Sequence, residues 1–188
     1  VRNESRIKHG DIMGKNTIIF DLDGTLALVQ KRVRKSIIPK PNSSDGEGMD
    51  WDIFFDGQNV LTLDEPNYPV ISMAQMYYRE GYKIVIFSGR NDRSYKETQQ
   101  WLEMYEVPYN LLVMRPDKFQ DESWPIAYGN PATPAMRFMP DEILKKEMLD
   151  TFVDIDDVFM TVDDRQKVVD MWRDLGLTCF QVAPGDFK

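Results

Sequence analysis

Residues Thr17 to Val29 read TIIFDLDGTLALV, which sets two carboxylates, Asp21 and Asp23, directly after an apolar run and directly before Gly24 and Thr25. Two more acids, Asp163 and Asp164, follow the apolar VFMTV of residues 158–162, and Ser88 closes a third run, KIVIFS, that starts at Lys83. If these runs are neighbouring strands of an open parallel sheet, their ends share the crevice in which such sheets bind ligands. Four carboxylates gathered there repel, and some would take up protons unless a cation offsets their charge. All-oxygen ligation by few protein groups suits Mg2+, which keeps several waters and accepts phosphate oxygens. The candidate metal ligands are Asp21, Asp23, Asp163 and Asp164, with Asp23 able to turn its side chain away and serve through its backbone carbonyl.

The neighbours of these acids suit an anion such as phosphate. Gly24 and Thr25 bring backbone N–H groups to a turn, where they can cradle anionic oxygens. Ser88, Gly89 and Arg90 supply a hydroxyl, a flexible backbone and a guanidinium able to grip phosphate through two hydrogen bonds. Lys145 adds a point positive charge. Phosphoryl transfer is mostly positioning and charge stabilisation, so the set is nearly sufficient. The single histidine, His9, stands in the polar N-terminal stretch and reads as a solvated surface group. A carboxylate must then be nucleophile or general acid.

What could position these groups is an alternation of strands and helices. Strand-like runs are TIIF, KIVIFS, NLLVM (110–114), VFMTV and TCFQVA (178–183). Helical patterns fill 71–80, 94–105, 141–151 and 166–175; Trp101, Leu102 and Tyr105 share a helix face, and Gly81 and Gly176 stand at C-cap positions. Pro140 followed by Asp141 and Glu142 marks a helix start. Continuous apolar strands alternating with helices predict an α/β fold, a Rossmann-like parallel sheet covered on both faces. Two segments break the rhythm: residues 30–69, read as a small cap or lid inserted into a domain spanning 17–188, and residues 115–140, read as a substrate-side loop. Residues 1–16 form a polar tail, and no internal repeat is visible.

The bulk numbers fit this reading. A chain of 188 residues, 42% hydrophobic and 12% aromatic, is long enough for one well-packed domain. No apolar run approaches the roughly 20 residues of a membrane helix, and the N-terminal residues lack the apolar core of a signal peptide. One cysteine, Cys179, can form no internal disulfide, so the expected compartment is the cytoplasm. A net charge of −8 argues against affinity built on general attraction to nucleic-acid backbone, so any such contact must be local.

In order along the chain, DLDGT (21–25), FSGR (87–90), Lys145 on a helix and TVDDR (161–165) resemble the four motifs of the haloacid dehalogenase (HAD) superfamily. SGRNDRSYKETQQWL, DEILKKEML and DDRQKVVDMWRDLGLTCFQVAPGDF are similar to the phosphatase half of bacteriophage polynucleotide kinase/3′-phosphatases. That likeness runs from about Thr17 to Phe187 and puts the motif lysine at Lys145 rather than Lys146. The stretch from Asp117 to Arg137 is longer than the family's pattern. GDIMGKNT (10–17) is one residue short of a P-loop, carries Asn16 where Ser or Thr belongs, and precedes a strand instead of joining strand to helix. No kinase is therefore expected in this chain.

The resemblance implies roles. Asp21 would attack phosphorus and carry an aspartyl-phosphate, and Asp23 would protonate the leaving hydroxyl and then activate water. Thr25 and Ser88 would hydrogen-bond the transferring group, and Lys145 with Mg2+ would offset its charge. Asp163 and Asp164 would hold the metal directly or orient its waters. Arg32 lies where the family carries an arginine for the substrate phosphate, and Gly24, Gly89 and Arg90 complete the binding set. The expected activity is Mg2+-dependent removal of 3′-phosphates from nucleic-acid ends or nucleotides, in the host's cytoplasm if the chain is phage-encoded. The alternative is a deoxynucleoside monophosphate 5′-nucleotidase, which the same residues would serve. Trp51, Phe54, Phe55 and Tyr68 either stack a base or pack the insertion onto the domain; KRVRK (31–35) either meets a nucleic-acid strand or is a solvated basic turn. The oligomeric state stays open.

Overall fold

The apolar runs do what their composition demands and stack side by side, out of water, in one parallel sheet. The computed structural model describes residues 14–44, 46–116 and 138–185. His9, most of the polar tail and residues 117–137 of the substrate-side segment lie outside the described residues. In chain order the strands are β1 (Thr17–Phe20), β2 (Ala27–Leu28), β3 (Ile37–Pro39), β4 (Glu47–Met49), β5 (Glu65–Pro66), β6 (Lys83–Asn91), β7 (Leu111–Arg115), β8 (Val158–Asp163) and β9 (Cys179–Gln181). The helices are α1 (Gln30–Ser36), α2 (Trp51–Phe54), α3 (Gly57–Leu63), α4 (Tyr68–Arg79), α5 (Tyr95–Met104), α6 (Asp141–Phe152) and α7 (Gln166–Asp174).

The main sheet has the order β7-β6-β1-β8-β9, with every pair parallel. β1 is central, and Phe20 pairs with Ile86 of β6 and Val162 of β8, so the residue after Phe20 emerges beside the ends of both neighbours. Alternate side chains serve opposite faces. Ile18, Phe20, Ile84 and Ile86 pack with Ile71 and Ala74 of α4 and with Trp101 and Leu102 of α5. Ile19, Val85 and Phe87 pack with Leu144 and Met148 of α6 and with Val169 and Trp172 of α7. Both faces are thus covered, as continuous apolar strands require. Two residues beyond Ile19, Asp21 falls on the α6 side.

Helix ends follow local chemistry. Gly81 and Gly176 take φ of 93° and 81°, and their N–H groups return to the carbonyls of Tyr78 and Arg173. This is the left-handed cap that a side chain disfavours. α4 begins at Tyr68 with Pro69 in its first turn, earlier than the apolar periodicity suggests, because proline is pre-set for a helix start. β6 outruns the expected KIVIFS, and its register with β7 breaks between Ser88 and Asn91.

Residues 30–66 fold as α1, the antiparallel pair β3–β4, α2 and α3, returning through β5, which pairs antiparallel with β2. The unit has polar anchors: α1 buries Arg32 and Ser36, and Trp101 of α5 donates its Nε1–H to the Asp64 carbonyl at 3.1 Å. Among the described residues, no helix is long and apolar enough to cross a membrane.

Candidate active site

Strand parity and helix packing bring Asp21, Asp163 and Lys145 together. Lys145, one position past the buried Leu144 of α6, donates to Asp21 Oδ1 at 2.6 Å and to Asp163 Oδ2 at 2.7 Å. All three side chains are buried. Burial alone would lower the Lys145 pKa, but Asp163 and Asp21 outweigh it and push it well above the ordinary lysine value, so the ammonium is held charged. Burial pushes the Asp21 carboxyl up, against the pull of Lys145 and with the help of Asp163 and Asp164. Burial, reinforced by Asp163, pushes Asp164 up to about 6.

Asp21, Asp163 and Asp164 can each offer one oxygen within 4.8 Å of the others, a spacing that could hold a metal ion. Their bonding is unequal. Asp163 Oδ1 accepts from the backbone N–H groups of Asp164 (3.0 Å) and Arg165 (3.2 Å), while Lys145 holds its Oδ2. Asp21 Oδ2 and Asp164 Oδ1 are buried with no hydrogen-bond partner. Two orphaned carboxylate oxygens in a buried acidic group fit a hard divalent cation, because burying such atoms unpaired is otherwise costly.

Asp23 stands apart from that group. Its carboxylate accepts from Arg90 Nε at 3.0 Å and lies 3.0 Å from Arg32 Nη2. Of the four acids offered as ligands by the sequence, three carboxylates converge, and that of Asp23 is taken up by Arg90 and Arg32 instead. Burial would raise the Asp23 carboxyl, but Arg32 and Arg90 more than offset it and hold it well below the usual carboxylate range. Behind them sits Asp64, which accepts from Arg32 Nε (2.7 Å) and Nη2 (3.1 Å) and from Arg90 Nη2 (2.7 Å). Arg90 also donates to Thr98 Oγ1 at 2.9 Å, and Arg32 to the Phe54 carbonyl at 2.9 Å. The reading of KRVRK as a solvated turn thus does not hold for Arg32, which is fully buried. Arg90, offered as a grip for phosphate, has its guanidinium committed to Asp23, Asp64 and Thr98.

The turn after β1 also differs from expectation. The Gly24 N–H bonds the Ala27 carbonyl at 2.8 Å and the Thr25 N–H bonds the Leu22 carbonyl at 3.3 Å, so both are spent within the turn instead of facing an anion. Gly24 is needed for room: its φ is 93°, and a Cβ there would stand 2.2 Å from Asp164 Oδ2. Thr25 Oγ1 is buried without a partner, a hydroxyl still available to a ligand. Ser88 is buried, and its Oγ accepts from the Arg90 N–H at 3.1 Å. A Cβ on Gly89 would meet Asp141 Oδ1 at 2.5 Å.

Asp141 and Asp64 are members of the site that sequence reasoning did not single out. Asp141, in the first turn of α6, bonds both Arg115 and Arg165. Its only signal in the sequence is that of an acid at a helix start, and Asp64 is one acid among several in a loop. A cavity of about 740 Å3 opens beside these groups, lined by Asp21, Asp23, Lys145 and Asp164 and, on another wall, by Trp51, Phe54 and Phe55. Tyr68 does not line it.

Residues 52–187 match the family model described as the polynucleotide kinase PNKP phosphatase domain. Among solved structures, a chain in "Structure of Pnkp1/Rnl/Hen1 complex" is 31% identical with a TM-score of 0.62; the match covers 92% of this chain and 48% of that one. A chain in "Structure of the Pnkp1/Rnl/Hen1 RNA repair complex" is also 31% identical, with a TM-score of 0.63, over 93% of this chain and 44% of that one. This chain therefore spans about half the length of each. A haloacid dehalogenase-like family hydrolase from Streptococcus pneumoniae shares the fold at 11% identity, with a TM-score of 0.57 over 89% of this chain and 84% of that one.

Proposed function

The chain belongs to the PNKP phosphatase-domain family of HAD phosphatases, and from that premise we propose that it is a Mg2+-dependent phosphomonoesterase that removes 3′-phosphates from nucleic-acid ends or nucleotides. The observation that carries the reading is Lys145 bridging Asp21 and Asp163 while Asp21 Oδ2 and Asp164 Oδ1 stay buried and unpaired.

Asp21 is the nucleophile. Its Oδ1 is fixed by Lys145, so its position is set before substrate arrives. The Lys145 ammonium remains to offset charge on the transferring group. Thr25 and Ser88 supply hydroxyls to that group's oxygens. Asp21 and Asp164 would hold the metal directly through their unpaired oxygens, with Asp163 orienting Lys145 and the Asp164 loop. When bound, Mg2+ supplies charge neutralisation for the phosphoryl oxygens.

Asp23 is the proton-transfer group, and its surroundings set a condition on that role. Two guanidiniums hold it ionised, which suits the base that draws a proton from water. To give a proton to the leaving oxygen in the first step, the Asp23 carboxylate must first take one up from solvent, which requires that its contacts with Arg32 and Arg90 weaken.

A 5′-nucleotidase is the second reading, favoured by the net charge of −8, which suits a small substrate better than a polymer. Initial rates on a 3′-phosphorylated oligonucleotide and on a deoxynucleoside 5′-monophosphate, each with Mg2+ and with EDTA, separate the two. The expected result is turnover of the oligonucleotide that EDTA abolishes. An inert oligonucleotide beside a hydrolysed 5′-monophosphate overturns the 3′-end reading.

A further inference from the structure

One wall of the cavity is aromatic and does not belong to the phosphoryl chemistry. Trp51 is 56% exposed, although a tryptophan side chain usually finds cover. Its ring lies nearly parallel to Phe55, with centroids 5.6 Å apart and 19° between planes, and meets Phe54 edge-on at 5.6 Å and 85°. Phe54 is buried, and the Arg32 guanidinium carbon sits 4.2 Å from its ring centroid. Arg32 in turn lies against Asp23. A continuous run of contacts, Trp51 to Phe54 to Arg32 to Asp23, thus fixes the exposed ring relative to the candidate proton-transfer residue.

Packing of residues 30–66 onto the domain uses buried groups such as Phe54, Val60, Arg32 and Asp64, and leaves much of the Trp51 surface over. A cavity of about 740 Å3 also far exceeds what a phosphate needs and lies in the range of pockets that hold whole small ligands. A ligand that uses both walls carries an anionic end for Lys145 and the candidate metal ligands and a flat π-surface for Trp51.

We propose that Trp51, backed by Phe55, is the stacking surface for the base of the nucleotide that bears the scissile phosphate, so that the site selects base-bearing phosphates over alkyl phosphates. This rests on the phosphatase reading above and adds to it the residue that recognises the base. Every base has a π-face, so such a surface is tolerant of sequence.

Isothermal titration of the Asp21→Asn protein in Mg2+ tests the idea without turnover, using thymidine 3′-monophosphate and glycerol phosphate as probes. The nucleotide is expected to bind more tightly than glycerol phosphate by tenfold or more. Adding Trp51→Ala shrinks that preference by roughly 5- to 100-fold, the range expected for loss of one base–aromatic stack, and Trp51→Phe retains most of it. A preference unchanged in Trp51→Ala overturns the proposal, as does an equal loss for both probes. A readout that needs no change at Trp51 is its indole proton resonance in the Asp21→Asn protein, which shifts upfield with the nucleotide and not with glycerol phosphate; no shift also overturns it. Hydrolysis by the native chain is scored separately, on the 3′-phosphorylated oligonucleotide and the 5′-monophosphate as well as on these probes: turnover of none of them overturns the phosphatase reading, and the binding preference still decides the role of Trp51.

Discussion

Asp21 Oδ2 and Asp164 Oδ1 are buried without partners, and in the metal-free protein that arrangement costs stability. Burial pushes Asp164 up to about 6, so it binds a proton more tightly folded than unfolded. Its contribution to stability is complete below about pH 4 and is lost as pH rises through 6. In EDTA, Asp164→Asn should therefore raise Tm at pH 8, by roughly 2–4 °C for each kcal/mol relieved, and change it little at pH 4. Thermal melts at the two pH values check this; a larger gain at pH 4 contradicts it. Burial raises the Asp64 carboxyl as it does that of Asp164, but Asp64 has charged partners in Arg32 and Arg90, so losing either member of that network strands a buried charge. Arg32→Ala or Asp64→Asn should lower stability by about 3–5 kcal/mol, the usual penalty for stranding a buried charge. For Arg32→Ala, chemical denaturation should show this loss ahead of the rise in KM expected of a surface phosphate grip; an unshifted midpoint contradicts the buried network. The DLDGT, SGR and DDR motifs identify Asp21, Ser88 and Asp164 in the sequence because each follows an apolar strand. Asp64 and Asp141 stay hidden, since a charge that meets its partner only in the fold looks like any other acid in a loop or first turn.

At the scale of elements, the ends of β6, β1 and β8 meet because β1 is central, and the turn after β1 must pass close to Asp164. Gly24→Ala places a methyl 2.2 Å from Asp164 Oδ2 in a backbone conformation that side chains disfavour. The expected result is a drop in activity of about tenfold or more, with weakened metal affinity measured by titration; native activity and affinity would show that the turn relaxes at no cost. The five strands of the main sheet and the four longer helices are legible because their apolar runs and periodicity are strong and glycine marks two of the helix ends. The unit at 30–66 is not, for a physical reason. α1 buries Arg32 and Ser36 instead of an apolar stripe, and β2 and β5 are two residues each, too short for any alternation to register. Polar anchoring of this kind leaves no hydrophobic signature.

Over the whole molecule, the strand ends of the parallel sheet carry the proposed phosphoryl site and residues 30–66 supply an aromatic wall of the same cavity, joined through Arg32, Arg90, Asp23 and Asp64. On the proposed reading, a chain of net charge −8 is expected to select substrate inside the cavity and not by long-range attraction to a polymer. The rate on a short 3′-phosphorylated oligonucleotide should accordingly vary little between about 50 and 200 mM salt; a fall of several orders of magnitude would point to extensive backbone contacts instead. The most direct measurement is acid-quench trapping of protein during turnover of a 32P-labelled 3′-phosphorylated substrate, followed by mapping of the labelled peptide. Label on Asp21, released by hydroxylamine and absent in Asp21→Asn, is the predicted result. Steady turnover with no labelled protein, or label that persists in Asp21→Asn, would contradict the covalent role of Asp21.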